Sequence, residues 1–195
     1  MTTTSKTMRV VSLGDRFAGL SVIVLTLIAL ALGWLLKSTV ESRSLPFNSG
    51  SITAQVPSGW LALHQKAGEI LHVTDRTTTG FGTTYIIQLE AVPAGAKPGE
   101  ILGLLTLERG NSLTAYRVVS QQQVLVQGRT ALQIDYVYVE SAANLNNAVM
   151  PSVVRGQDYV FVNGSQAVIV TYRADQSAFD ADLGRFYQFL VSVKY

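Results

Sequence analysis

The chain has 195 residues, with 15 Lys and Arg against 13 Asp and Glu, two His and no Cys. Without cysteine there is no disulfide framework, thiolate zinc site, iron–sulfur cluster, thiol nucleophile or Cys-linked lipid anchor. Two histidines leave little material for catalysis, and a mean hydropathy of +0.26 is high for a chain that lives wholly in water.

In chain order, residues 1–16 read as a short cytoplasmic N-terminal segment carrying Lys6, Arg9 and Arg16 against Asp15. Residues 17–36, FAGLSVIVLTLIALALGWLL, contain no charge and no proline. A helix rising ~1.5 Å per residue over that length crosses a hydrocarbon core of ~30 Å. The triplet Ala29-Leu30-Ala31 resembles a leader-peptidase site, so a cleavable signal competes with an anchor. The apolar run continues past it through Leu32, Trp34 and Leu36, which favours a retained transmembrane helix. Within that helix Gly19, Val22, Thr26, Ala29 and Gly33 recur at three- and four-residue intervals, forming a seam of mostly small side chains suited to packing against a partner helix, with the Thr26 hydroxyl as a donor.

Charge divides at the same place. Residues 1–37 carry +3, whereas residues 38–195, with 11 basic and 12 acidic side chains, carry −1. The positive-inside bias puts the N-terminus in the cytoplasm and the C-terminal part in the periplasm or outside the cell, in a single-pass arrangement at the cell membrane. A near-neutral domain without a basic stripe argues against nucleic acid as a partner.

Residues 37–46, polar and then broken by Pro46, read as a linker, and residues 47–195 as one extracytoplasmic domain. Alternation and turn punctuation predict strands over 51–56, 60–65, 69–75, 84–92, 115–126, 131–140, 152–162 and 167–173. Turns are expected at Pro57-Ser58-Gly59, Lys66-Ala67-Gly68, the polar stretch 77–82, Gln127-Gly128, the loop around 144–148, and Asn163-Gly164, the last as a type I′ hairpin. Helical spacing interrupts twice. Residues 97–109 place Ile101, Leu104, Leu105 and Glu108 on one stripe, and residues 177–191 do the same with Phe179, Leu183, Phe186, Phe189 and Leu190. The pattern is an α+β domain with a mostly antiparallel sheet and segregated helices.

Candidate chemistry is sparse. His64 and His72 lie symmetrically about Gly68, so a hairpin centred there would set both on one face, with Glu69 or Asp75 as a third ligand. A tetrahedral site usually needs three or four ligands, and two unrelated strand histidines is the simpler reading. There is no G-x-S-x-G elbow and no histidine beside a nucleophile motif. Asp180 and Asp182 suit a helix N-terminus, and Asp135 and Glu140 fall on opposite faces of one strand. Gly80-Phe81-Gly82 lacks the Lys-Ser/Thr pair of a phosphate loop and reads as a hairpin presenting Phe81 to a partner. Tyr136, Tyr138, Tyr159 and Tyr172 fit either a ligand groove or ordinary sheet packing, and strand propensity favours packing. No catalytic, cofactor or metal residue is nominated.

The order of "SITAQVPSGW", a helix with "ILGLL", a strand ending at Gly128 and followed two residues on by "TALQIDYVYV", then "GQDYVFVNGSQAVIVTYRA" and a closing "FDADLGRFYQFLVSVK" resembles the PsbP-like superfamily over residues 47–195. That superfamily includes extrinsic photosystem proteins, a Ran-binding nuclear-import factor and many bacterial extracytoplasmic domains. The resemblance implies an α-β-α sandwich with a binding or assembly role and no catalysis. It carries no site residue over. Together these readings describe a non-catalytic, membrane-anchored accessory subunit of a multisubunit complex, plausibly one of respiratory or photosynthetic electron transfer. Its expected partners are other subunits and the lipid bilayer, and it needs no cofactor. The alternative is a binding module for a small ligand or envelope polymer.

Overall fold

The computed structural model describes residues 13–41, 43–75, 77, 80–141 and 151–195. They fall into two compact units that divide after Arg43. Most of the expected N-terminal segment 1–16 and the loop around 144–148 lie outside the described residues.

The first unit is helix α1, Leu13–Glu41. Its apolar stretch Gly19–Leu36 is exposed along its whole length and is long enough, by size and composition, to cross a membrane. A leader sequence has the same properties.

The second unit holds β1 (Ser44–Ser49), β2 (Ile52–Pro57), β3 (Leu61–Ala62), β4 (Glu69–Thr74), β5 (Thr84–Ala91), α2 (Pro98–Ser112), β6 (Thr114–Val126), β7 (Arg129–Glu140), β8 (Ser152–Asn163), β9 (Gln166–Asp175) and α3 (Phe179–Ser192). β1 and β2 form a hairpin of their own, and the other strands make a seven-stranded sheet in the order β3-β4-β5-β9-β8-β7-β6. Every neighbouring pair is antiparallel. The segment containing α2 carries the chain from β5 to the far edge, and successive hairpins then bring it back to close beside β5.

The linker expected over 37–46 gives way to helix and strand. α1 continues through Glu41 and β1 starts at Ser44. Pro46 broke the sequence pattern, yet in β1 it occupies an outer strand of a two-stranded hairpin, where a missing N–H costs little.

Each sheet face has its own core. On one, Tyr85, Tyr159, Phe161 and Tyr172 meet Ile52 and Ala54 of β2 and Phe179, Phe186, Phe189 and Leu190 of α3. On the other, Ile134, Tyr136, Tyr138, Val160 and Ile169 meet Ile101, Leu102 and Leu105 of α2. Burial on both faces explains the apolar run Ala167–Val170 of β9 and the run Tyr159–Val162 of β8. The four strand tyrosines divide between the two cores, each at most 2% exposed, so they pack the sheet, and of the four Tyr159 also borders a hollow beside α3.

Two local expectations change. Asn163 pairs with Gln166, so the central turn residues are Gly164 and Ser165, with positive φ at Gly164 alone, the type II′ pattern. The type I′ pattern falls instead at Gln127 (φ 50°) and Gly128 (φ 75°), between β6 and β7. On α2 the buried residues are Ile101, Leu102, Leu105 and Arg109, while Leu104 is 70% exposed, so the helix is rotated from its expected stripe.

Close packing in the second core is sharpest at Gly156. A Cβ built there falls inside the Tyr136 ring. Gly156→Ala is expected to lower the denaturant midpoint by the equivalent of about 1–3 kcal/mol, the usual cost of overpacking, read in a chemical unfolding curve at unchanged slope.

Candidate functional site

His64 and His72 are not paired across a hairpin, in line with the simpler reading of two unrelated histidines. β3 and β4 pair Leu61 with Thr74 and Ala62 with Val73, and the N–H of Leu63 donates to the carbonyl of His72 at 2.8 Å. In that register Leu63 is opposite His72, one residue away from a hairpin symmetric about Gly68. His64 lies past the end of β3 and is not the residue opposite His72. His72 Nδ1 instead lies 3.0 Å from Glu69 Oε2. Among the described residues no group of three His, Asp or Glu side chains is placed to hold a metal.

Phe81 is only partly open to solvent. It is half-buried against the α2-side core and meets Tyr138 edge-on, with ring centroids 6.3 Å apart. The glycines flanking it let the loop turn back onto the sheet, and the apolar ring follows the available apolar surface. Along α1, Gly19 to Gly33 are exposed, and the Thr26 hydroxyl donates to the carbonyl of Val22 at 2.8 Å. That donor is satisfied inside its own helix. Asp180, expected as a favourable charge at the start of α3, also takes both oxygens to Arg155 at 3.1 and 3.2 Å, and Asp182 accepts from Thr83 at 2.6 Å.

A polar cluster that the sequence did not single out lies under α2. Arg109, from the last turn of the helix, forms an ion pair with Asp158 of β8, and both are buried. Arg109 Nη2 donates to Thr171 Oγ1 at 3.2 Å, and Thr171 donates to Asp158 Oδ1 at 2.7 Å. Tyr136 lies beneath the Arg109 guanidinium, 4.8 Å from ring centroid to Cζ, and accepts from Arg173 Nε at 3.0 Å. Burial pushes the Tyr136 phenol upward, but the two flanking guanidiniums outweigh it and the net shift is downward. Burial also holds Arg109 below the usual arginine range, partly opposed by Tyr136. One sequence signal was available: Arg109 stands four residues after Leu105 and eight after Ile101, on the buried stripe. The cluster contains neither histidine nor a serine or cysteine nucleophile, and its groups bond chiefly to one another, so its chemistry is that of an internal pin.

A second cluster lies toward the β6 edge, on the α3 side. Asp135 accepts from Ser120 Oγ, from Gln133 Nε2 at 3.2 Å and from Gln157 Nε2 at 2.7 Å. Gln122 donates to Gln133 at 3.3 Å, and Tyr159 donates to Gln157 at 3.2 Å. Beside it a hollow of about 300 Å³ opens between α3 and the end of β6, lined by Leu125, Tyr187 and Val191. Another, of about 520 Å³, lies between the first turn of α2 and β6–β7, lined by Pro98, Leu102, Gln121, Gln123 and Leu132. Hollows therefore flank the β6 margin on both faces of the sheet.

No family model and no curated protein matches the sequence. Solved structures do. Cyanobacterial PsbP (CyanoP) from Synechocystis sp. PCC 6803 is 10% identical, with 79% of this chain and 94% of that chain covered at a TM-score of 0.55. LpqN, involved in cell envelope biogenesis of Mycobacterium tuberculosis, is 13% identical over 78% and 91% of the two chains, at 0.50. The Ran-binding protein Mog1p of Saccharomyces cerevisiae is a looser match, 13% identical over 76% and 91%, at 0.47. The domain has the PsbP-like fold, an α+β sandwich with a mostly antiparallel sheet.

The pin makes a testable demand on stability. Asp158→Asn leaves the buried Arg109 charge uncompensated and is expected to cost about 3–5 kcal/mol in a denaturant titration. Adding Arg109→Met in the same chain removes that charge and should recover a large part of the loss.

Proposed function

We propose that the protein is a non-catalytic accessory subunit, anchored by α1 as a single membrane span, that stabilises or assembles a multisubunit membrane complex. The observation that carries this reading is Gly19–Leu36, an apolar helix face exposed on all sides that needs lipid or neighbouring helices to cover it. The N-terminus is cytoplasmic and the sandwich extracytoplasmic, on the charge bias of the sequence. The seam Gly19, Val22, Thr26, Ala29 and Gly33 is the surface proposed to meet a partner helix. With Thr26 bonded internally, that contact rests on close backbone approach. A respiratory or photosynthetic electron-transfer complex is the proposed setting, by analogy with extrinsic photosystem proteins of the same fold, and a shared fold is associational support only.

A second reading, a binding module for a small ligand or envelope polymer, draws on the hollow of about 520 Å³ beside α2, which is within the size range of ligand pockets. Purification of the full chain through a C-terminal tag in mild detergent separates the two. Stoichiometric co-purifying subunits are expected, and they should be lost from Ala29→Leu with Gly33→Leu while membrane insertion persists. Recovery as a chain free of other subunits from gently solubilised native membranes would favour the binding module.

Topology has its own measurement. Protease added to intact spheroplasts is expected to digest residues 44–195. Protection there, with digestion only after lysis, would reverse the orientation.

A further inference from the structure

The two margins of the seven-stranded sheet differ. At one, β3 has two residues, and such brevity is a common way to keep an edge from pairing. At the other, β6 runs for 13 residues and, among the described residues, pairs with β7 on one side only. Its first half is guarded by register irregularities at Thr114/Arg117 and Val118/Ser120, with Ala115 at φ 53°. From Ser120 to Val126 the pairing to β7 is regular. That stretch has no proline, and no charged residue occurs between Arg117 and Arg129. Lysine, proline and inward charges are the devices that normally protect an edge, and none is used here. Leu125 is 74% exposed and Val119 63%, and a hollow flanks the strand on each face.

The residues along this edge are self-complementary about Gln122. Reading outward in both directions within the regular stretch, Gln121 matches Gln123 and Ser120 meets Val124, and the aliphatic Val119 and Leu125 flank these residues on either side. In an antiparallel pair of identical strands with a two-fold axis at Gln122, Gln121 and Gln123 stand opposite one another, amide against amide. The unused N–H and C=O groups of alternate residues would be paired across the axis, and the added strand would narrow both hollows.

We propose that β6 pairs antiparallel with β6 of a second copy of this chain about a two-fold axis at Gln122, joining the two sheets into one. The contact is isologous, as a two-fold requires. It does not depend on the accessory-subunit reading, because it involves only copies of this chain.

Because the chain has no cysteine, one introduced thiol gives an unambiguous readout. The full chain in mild detergent carrying Gln122→Cys is expected to form a disulfide-linked dimer under gentle oxidation, since residues facing each other across the axis fall within disulfide reach. Leu104→Cys, equally exposed on α2, should not. Gln121→Lys with Gln123→Lys places like charges directly opposite one another on both sides of the axis; it should abolish the Gln122→Cys cross-link and weaken dimerisation in sedimentation equilibrium by about tenfold or more, with an unchanged circular dichroism spectrum. Absence of the cross-link, an equal yield from Leu104→Cys, or a dimer that survives both lysines would overturn the proposal. In the last case another surface, such as α1, holds the copies together.

Discussion

Arg109 and Asp158 place opposite charges where neither meets water, and much of the second core is arranged around that fact. An unpaired charge there would cost several kcal/mol, so α2 is confined to the one rotation that delivers Arg109 to β8. That rotation buries Ile101, Leu102 and Leu105 and turns Leu104 and Leu107 outward. Tyr136 fills the space beneath the guanidinium, and Gly156 on the next strand is the residue small enough to accept the ring. Helix, sheet and aromatic packing are thus coupled through one buried pair. Such pairs contribute little net stability compared with apolar residues of the same shape, and their effect is to make alternative packings costly.

The opposite face is held by different means. Tyr85, Tyr172, Phe179, Phe186 and Phe189 make a run of ring contacts with centroid separations from 4.7 to 5.9 Å, and the Tyr172 hydroxyl donates to the carbonyl of Phe179 at 2.7 Å, tying β9 to the start of α3. Large rigid rings bury much area with few rotamers. With both faces filled in the middle of the sheet, the surfaces left for other molecules lie at its margins. The β6 side is the more open of the two, being long, regular in its second half and uncharged.

The PsbP-like fold constrains the architecture and leaves the function open, because function belongs to surfaces and sites that a fold can carry in many versions. Here the described surface offers no cluster of metal ligands. It offers an apolar helix long enough for a bilayer and a sheet edge with unused backbone groups. Both are surfaces that lipid or another chain can cover.

The sequence by itself determined the apolar helix, the α+β class, the two helices behind the strands and the positions of the long strands from Thr84 onward, because each rests on a period of hydrophobicity that local residues set. It also carried the aromatic stripe of α3, where Phe179, Phe186, Phe189 and Leu190 are all buried. Four features were decided only by tertiary structure. β1 forms because β2 supplies its hydrogen bonds, which no local pattern around Pro46 announces. His64 and His72 are not opposite one another because the β3–β4 register differs by one residue from the symmetric hairpin. Phe81 turns inward because Tyr138, distant in sequence, offers it an apolar wall. α2 takes its rotation from Asp158, about fifty residues further along the chain, because a buried charge must be met by its partner wherever the fold places it.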